Sequence, residues 1–221
     1  MSGVKFNLKA IGEKCQEIGA YFIVDGTQSV GAMPMDVKEF KIDALICAAY
    51  KWLLGPYSIA LAYIGEKFAN GIPLEESWMN RVNARNFSSL SDYADKYQPG
   101  AGRFNVGETS NFIMMPMLKD SLSQLLEWTP SKIQEYAKNL NSPLREFLKE
   151  IGGVMEDDAY LAYHLIAPKL PEVISSEDLK RSLDLNKIYL SVRGEYLRIS
   201  VNVFNTEEDI SKLSQIIKSL I

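Results

Sequence analysis

The sequence predicts an α/β protein built from two parts. Two short, continuously apolar runs, YFIVDG (residues 21–26) and IDALICAAY (residues 42–50), are typical of strands buried in a parallel sheet. A mostly helical spacing of apolar residues over residues 6–18 precedes the first run. We therefore predict a mostly parallel sheet with helices in residues 1–128 and a small α+β domain in residues 129–221.

The remaining elements of the first part follow from turn signals and apolar spacing. SIALAYIG (residues 58–65) comes after the turn-forming LLGPY and predicts a third strand of the same parallel kind. Residues 70–107 are rich in Asn, Ser, Asp and Gly, which predicts a long functional loop or interface segment with little regular structure. Helical spacing returns over residues 113–128, breaks at Thr129-Pro130, and resumes over residues 131–151 with Thr129 or Ser131 as N-cap.

The second part alternates short strands and helices. A strand-like run, YHLIAPKL (residues 163–170), is followed by a helix-like SSEDLKRSLD (residues 175–184). Two further strands are predicted in KIYLSVRG (residues 187–194) and YLRISVNVF (residues 196–204). A closing helix is predicted to begin with a capping box formed by residues 206–209, Thr206 to Asp209.

Charge and composition exclude several classes of function. The 24 Lys+Arg and 28 Asp+Glu are spread along the chain for a net charge of −4, and no basic block indicates a nucleic-acid partner. No stretch approaches the roughly 20 apolar residues of a membrane span, and no signal-peptide pattern opens the sequence, so we expect a cytoplasmic protein. The two cysteines, Cys15 and Cys47, and the single histidine, His164, argue against a disulfide framework, a zinc cluster and a histidine-dependent nucleophile. We predict that His164 has a structural role.

An acid and an amine fall at the ends of the first two predicted strands. Asp25 ends the first strand and Lys51 follows the second, and ligands of open α/β sheets bind outside the carboxyl ends of parallel strands. A pyridoxal phosphate (PLP) site needs this pair, because a lysine holds the aldehyde as a Schiff base and a carboxylate keeps the ring nitrogen protonated. Taken alone, the pair also suits an N-cap aspartate and a surface lysine.

A longer motif makes the PLP interpretation more specific. VDGTQSVGAMPMDV (residues 24–37) followed by ALICAAYKWLLGP (residues 44–56) resembles the class V aminotransferase family of fold-type-I PLP-dependent enzymes, which includes cysteine desulfurases, selenocysteine lyases, kynureninases and isopenicillin epimerase-like proteins. The resemblance continues through residues 103–112 and 190–210. It implies that the chain is the C-terminal part of such an enzyme, with a partial PLP-binding large domain and a small C-terminal domain, and that about half of a usual family chain is absent.

The resemblance assigns roles to five residues around the cofactor. Asp25 would pair with the pyridinium nitrogen, Gln28 would hydrogen-bond the ring hydroxyl oxygen, and Lys51 would form the aldimine and then shuttle protons. Tyr50 would reach the phosphate, as the tyrosine before the lysine does in kynureninases, whereas desulfurases usually have histidine there. Thr109 would offer its hydroxyl to a phosphate across a dimer interface.

Substrate recognition and the type of chemistry also follow from the resemblance. Arg198 matches the family arginine that grips the substrate carboxylate, with Arg193 as a second candidate; each also suits a surface salt bridge. Desulfurases carry a nucleophilic cysteine on a loop soon after the position of Arg193, and this sequence has none there. Because Cys15 and Cys47 fall within a helix and a strand, we predict that they are core residues and not persulfide carriers.

Two functions compete on this basis. The first is a PLP-dependent aminotransferase or lyase that acts on an amino acid as a homodimer, by transamination, β-elimination or epimerisation. The second is a truncated, catalytically silent family fragment that serves as a dimerisation or assembly module. In the first case, the absent strands leave edges and apolar faces of the sheet uncovered. These would be covered by a partner chain, a second copy or a separately encoded N-terminal half.

Overall fold

The computed structural model describes residues 3–89, 91–109 and 111–221, and these fall into two units. The sheet unit contains residues 8–30 and 35–125. The C-terminal unit contains residues 3–7, 31–34 and 126–221. The assignment of residues 1–128 to a partial PLP-binding domain, with residues 129–221 as a separate C-terminal domain, stays a prediction.

A small sheet follows one helix at the start of the sheet unit. Helix α1 (Leu8–Glu17) lies within the helical spacing predicted for this region, and the chain turns at Gly19, whose φ of 71° suits glycine. The strands are ordered β1-β2-β3, with bounds β1 (Ile23–Asp25), β2 (Ala44–Ala48) and β3 (Ala60–Ile64). Helix α2 (Met114–Trp128) closes the unit with its residues up to Leu125.

The direction of β3 corrects the prediction of a third parallel strand. β1 and β2 are parallel, as predicted, but β3 runs antiparallel to β2, with Ala48 opposite Ala60 and Ala44 opposite Ile64. Only residues 49–59 connect these two strands. A parallel pair needs a crossover of a dozen or more residues, usually including a helix, so a connection this short imposes a hairpin.

The two faces of the sheet differ in burial. On one face Leu45 and Cys47 are 6% and 0% exposed, whereas on the other face Ile23 and Ile46 are 57% and 42% exposed. Because Asp25 is paired with Ile46 and successive side chains alternate between faces, the Asp25 side chain lies on the more exposed face. The burial of Cys47 agrees with its predicted place in the core.

The polar segment of the sheet unit contains short turns of 3-10 helix. Buried Asn80 holds it together, because its side-chain NH2 donates to the carbonyl oxygens of Arg103 (2.8 Å) and Asn105 (2.6 Å). As predicted, the described residues between 70 and 107 include neither an α-helix nor a strand longer than a single bridge. The 3-10 turns of the unit are Glu66–Phe68, Trp78–Asn80, Phe87–Ser89 and Gly100–Phe104.

The C-terminal unit packs helices against an antiparallel sheet. Its strand order is β4-β6-β5, and Thr129 is the N-cap of its long first helix, accepting a hydrogen bond from the Lys132 amide at 3.4 Å. The apolar core includes fully buried Leu144, Leu197 and Ile217. The elements are α3 (Pro130–Glu150), the 3-10 turn Asp158–Tyr160, β4 (Leu165–Ile166), α4 (Ser176–Leu185), β5 (Ser191–Arg193), β6 (Tyr196–Ser200) and α5 (Glu207–Lys218).

His164 is buried inside the C-terminal unit. The Gln134 amide makes three contacts there: its NH2 group donates to the Ala32 carbonyl (2.8 Å) and lies 2.7 Å from His164 Nδ1, while its oxygen accepts from the Tyr163 amide (3.0 Å). Two backbone partners therefore fix the Gln134 amide so that it presents a donor to Nδ1, and the neutral ring carries its hydrogen on Nε2. This environment agrees with the structural role predicted for His164.

The described residues contain neither a helix suited to span a membrane nor a cluster suited to bind a metal ion. None of the helices within them is both long enough and apolar enough to cross a membrane. Their His, Cys, Asp and Glu side chains form no group of three suited to a metal ion.

Candidate functional site

Asp25 and Lys51 meet at one edge of the sheet. β1 ends at Asp25, and Lys51 follows the end of the parallel strand β2 at Ala48. The two side chains are close enough for the positive charge of Lys51 to contribute to lowering the pKa of Asp25. The two strand ends therefore share one edge of the sheet, as predicted, and a common ligand pocket for the two side chains stays a prediction.

Thr27 has the larger effect on Asp25. The Thr27 hydroxyl and the Thr27 backbone N–H both hydrogen-bond the Asp25 carboxylate, the latter at 2.9 Å, and these bonds are the main reasons that the pKa of Asp25 lies below its ordinary value. Partial desolvation opposes them, and Lys51 adds a smaller lowering effect. Asp25 is therefore held as a carboxylate.

Gln28 contacts the residue that follows Lys51. The indole N–H of Trp52 donates to Gln28 Oε1 at 3.4 Å, a long hydrogen bond across the ends of the two parallel strands. With Oε1 accepting from the indole, the Gln28 NH2 group is directed away from Trp52. The structure thus links Gln28 to the segment that carries Lys51.

Tyr50 belongs to an aromatic pair. Its ring stacks on Tyr57 with a centroid separation of 4.4 Å and an interplanar angle of 10°, and Lys51 Nζ lies 5.5 Å from the Tyr50 centroid. Both phenol rings are exposed. Stacking limits the motion of the Tyr50 ring while leaving its hydroxyl accessible to a ligand.

The turn around Lys51 is compact because of Gly55. The Gly55 amide donates to the Ala49 carbonyl at 2.9 Å, and the Leu54 amide donates to the Lys51 carbonyl at 3.1 Å. A Cβ at Gly55 would lie 2.9 Å from Leu118 Cδ1 and 3.0 Å from Ala49 Cβ, closer than atoms pack. Glycine therefore lets the turn fold back over the end of β2.

Cys47 lies beside this cluster but has no nucleophilic character. Burial, with a smaller effect of the negative charge on Asp25, raises the pKa of the Cys47 thiol to about 11. The thiolate is the reactive form, so this cysteine is inert at neutral pH. Cys15 is half-buried on α1.

The remaining predicted site residues lie elsewhere in the chain. Thr109 is solvent-exposed on the segment before α2, and its phosphate contact stays a prediction. Arg193 and Arg198 lie on the β5–β6 hairpin of the C-terminal unit, where Arg198 pairs with Ser191 and Arg193 Nε donates to Ser191 Oγ at 3.3 Å. Desolvation and the nearby positive charge of Arg193 lower the pKa of Arg198. The two arginines are thus neighbours, and their contact with a substrate stays a prediction.

Sequence reasoning missed Thr27, Trp52 and Tyr57. Thr27 carried a usable signal, since a hydroxyl residue two positions after an aspartate can join an Asx-type turn. Trp52 stands next to Lys51 in the printed sequence, but its partner Gln28 lies 24 positions away and cannot be read from spacing. The stacking of Tyr57 depends on the turn at residues 49–59, which the sequence did not specify as a hairpin.

Comparison with known proteins gives the family. The family model described as aminotransferase class-V matches residues 1–213. An uncharacterised aminotransferase of Bacillus subtilis is 27% identical over 92% of this chain and 52% of its own length, and a kynureninase of Bacillus cereus is 25% identical over 99% and 52%. The apo structure of a cysteine desulfurase from Thermococcus onnurineus superposes with a TM-score of 0.76 at 22% identity, covering 99% of this chain and 57% of that one.

This chain belongs to the class V aminotransferase family, and its α/β fold matches that of the PLP-dependent transferases. The cofactor of the family is pyridoxal phosphate, and the residues gathered here fit it: an ionised carboxylate, an amide, a phenol and a lysine amine at one sheet edge. The chain spans about half the length of the curated relatives it matches.

Proposed function

We propose that this chain carries the lysine and the ring-binding residues of a PLP-dependent aminotransferase or lyase that acts on an amino acid. One observation carries the proposal: an aspartate whose pKa is lowered and a lysine are electrostatically coupled at the carboxyl ends of two adjacent parallel strands. The Thr27 N–H bond to Asp25 at 2.9 Å and the Ala48 N–H bond to Thr27 Oγ1 at 3.1 Å support the proposal, because they hold the carboxylate at the strand end next to the lysine segment.

Each residue of the cluster has a proposed role that its chemistry suits. Asp25 holds a proton on the ring nitrogen by accepting its N–H, which requires the carboxylate form. Gln28 donates its amide N–H to the ring hydroxyl oxygen, the orientation that follows if Trp52 occupies Oε1. Tyr50 donates its phenol O–H to the phosphate.

Bound PLP would supply an electron sink that stabilises negative charge at the substrate Cα. Lys51 then acts as the base that removes the Cα proton and the acid that returns it. The contact of Lys51 Nζ with the Tyr50 ring keeps the amine near the residue proposed to bind the phosphate. Return of the proton to the opposite face of Cα would give epimerisation and its delivery to a different carbon would give transamination, whereas departure of a Cβ substituent would give elimination.

Recognition of the amino acid is proposed for the arginines. Arg198 offers a planar pair of N–H donors that suits the substrate carboxylate, and Arg193 adds a second positive charge close by. Burial, with a smaller effect of the nearby Arg193 charge, lowers the pKa of Arg198, and a bound carboxylate would offset both effects, which favours an anionic ligand on this hairpin.

A second copy of the chain is the proposed partner at Thr109. The residues just after it, Phe112 and Ile113, are 85% and 72% exposed, which is costly for apolar side chains unless another surface covers them. We propose a homodimer in which Thr109 reaches the phosphate of the neighbouring site. We also propose that a further polypeptide covers the exposed sheet face at Ile23 and Ile46. It would supply the part of the usual family length that this chain does not span.

The test is covalent trapping of PLP on the purified chain. The wild-type chain is incubated with PLP, reduced with borohydride and digested, and mass spectrometry locates the added mass, which we expect on Lys51. Lys51→Ala should lose both the visible absorbance and the trapped adduct. Lys38→Ala, which removes an exposed lysine outside the cluster, should keep both.

The outcome separates the two functions set out from the sequence. Specific trapping on Lys51 supports the enzyme. A folded chain that gains no absorbance, or that is labelled on several surface lysines equally, contradicts it and favours the silent assembly module.

A further inference from the structure

We propose that Thr27 is a positioning residue that holds the Asp25 carboxylate in one orientation by tying it to the end of β2. This role concerns the site of the proposed function, and its effect on PLP binding rests on that function. Its structural basis is a chain of hydrogen bonds from Ala48 through Thr27 to Asp25.

The first link exists because β1 stops at Asp25. The Gly26 amide still donates to the Ile46 carbonyl at 2.7 Å, which is the last bond of the parallel ladder. Ala48, two residues further along β2, donates its amide to Thr27 Oγ1 at 3.1 Å instead of to a backbone carbonyl. The Thr27 side chain therefore continues the ladder by one bond.

The second link follows from the bonding capacity of a hydroxyl group. A threonine hydroxyl has one hydrogen to donate and two lone pairs to accept with. One lone pair accepts from the Ala48 amide, which leaves the hydroxyl hydrogen available to the Asp25 carboxylate, whose pKa this hydroxyl lowers. The Thr27 backbone N–H supplies a second bond to the same carboxylate at 2.9 Å.

Competing influences on Asp25 are weaker. Lys51 acts in the same direction as Thr27, but its effect ranks below both Thr27 bonds and desolvation. The Cys47 thiol, whose own pKa is raised to about 11, is neutral at neutral pH. Thr27 thus has the largest effect on the Asp25 carboxyl.

Three substitutions separate the hydroxyl from the rest of the side chain. Thr27→Val keeps the shape but removes the hydroxyl, Thr27→Ala removes it and leaves room for water at the Ala48 amide, and Thr27→Ser keeps it. Ser29→Ala is the matched control, because it removes a hydroxyl from the same loop that bonds the Gly26 carbonyl at 3.3 Å and not Asp25.

The first measurement is the titration of Asp25 by carbon-13 NMR of the side-chain carboxyl in the PLP-free chain, with the signal assigned by Asp25→Asn. We expect the wild type, Thr27→Ser and Ser29→Ala to titrate below the ordinary aspartate value, and Thr27→Val and Thr27→Ala to titrate higher. Equal titration in all of them would overturn the proposal. Should the valine variant fail to fold, the alanine variant decides.

The second measurement is PLP affinity, and it keeps the two proposals apart. Thr27→Val and Thr27→Ala should weaken binding on the order of fivefold, the effect of one or two ordinary hydrogen bonds, and Thr27→Ser should not. Unchanged affinity in the first two variants would remove Thr27 from the cofactor site. A wild-type chain that binds no PLP counts against the proposed function alone, and the carboxyl titration still decides the link between Thr27 and Asp25.

Discussion

The amide of Gln28 illustrates how one neighbouring side chain can decide what a residue offers to a ligand. A glutamine carries a donor and an acceptor of nearly the same shape, so its identity alone does not say which end faces the cofactor. The indole N–H of Trp52 can only donate, and it lies 3.4 Å from Gln28 Oε1. Trp52 therefore favours the orientation in which Gln28 donates to the ring hydroxyl oxygen.

Replacing Trp52 tests this orientation. Trp52→Phe keeps an aromatic ring but removes the N–H, so Gln28 Oε1 loses this donor. We expect PLP to bind about threefold to tenfold more weakly, the effect of one ordinary hydrogen bond, as measured by fluorescence titration. Trp78→Phe, at a half-exposed indole that contacts Phe87, is the control and should bind normally. Equal affinity of Trp52→Phe and the wild type would show that Gln28 is oriented by other contacts.

At the residue scale, the sequence predicted the charges better than the contacts that control them. Asp25 and Lys51 could be placed because strand ends of a parallel pair share an edge. The bond from Thr27 to Asp25 is local, but the bonds of Thr27 to Ala48 and of Trp52 to Gln28 could not be predicted, because each joins residues brought together only by the register of β1 against β2. Sequence spacing contains no information about that register until the strands are paired.

Among the elements, α5 was predicted with its capping box because the signals are local. The box is present at Thr206 and Asp209, and the Thr206 amide donates to Asp209 Oδ2 at 3.0 Å. That bond and a second one from Asn205 Nδ2 lower the pKa of Asp209. Because the four residues are consecutive, no tertiary information was needed to predict them.

The cap gives a prediction about stability and its dependence on pH. Asp209→Ala should lower the free energy of unfolding at pH 7 by about 1 kcal/mol, the value of one net hydrogen bond, as measured by urea denaturation. The pKa of Asp209 is lower in the folded state, so its contribution is complete above the unfolded value of about 3.9 and is lost as pH falls through the folded value. The difference between variant and wild type should therefore shrink below pH about 4. Glu208→Ala, in the same helical turn, is the control, and an equal loss in both would attribute the effect to the helix dipole.

β3 is the element whose direction was predicted wrongly from the sequence. An apolar run of five residues fits a parallel or an antiparallel strand equally well, so its composition could not decide. The deciding feature was the length of the connection, residues 49–59, together with the Ala49 amide bond to the Ile59 carbonyl at 3.0 Å. Connection length is visible in the sequence once the strand ends are known, and a link of residues 49–59 favours a hairpin.

For the whole molecule, the class of fold followed from the order of strands and helices, and the α/β prediction is confirmed by the match to PLP-dependent transferases. The family was visible because the motif around Asp25 and Lys51 resembles it together with further segments along the chain, and the family model matches residues 1–213. Neither signal reports what covers the exposed apolar side chains, since burial by another chain leaves no distinct pattern in a single sequence.

The proposed homodimer can be tested at its exposed apolar residues. Sedimentation velocity at micromolar concentration should give a dimer for the wild type, and a double variant, Phe112→Ser with Ile113→Ser, should sediment as a monomer because it removes apolar area from the proposed interface. Leu185→Ser, at a residue that is 78% exposed in the C-terminal unit, should remain dimeric. A monomeric wild type, or a double variant that stays dimeric, would contradict this interface.

The short hairpin around Lys51 also bears on the order in which the chain folds. Pairing β2 with β3 closes only residues 49–59, whereas pairing β1 with β2 must bring Ile23 to Ala44 across a longer connection. Contacts between nearby residues cost less loop-closure entropy and form faster. The turn that carries Lys51 can therefore form before β1 pairs with β2. Asp25 would then come next to Lys51 only when β1 docks, late in folding.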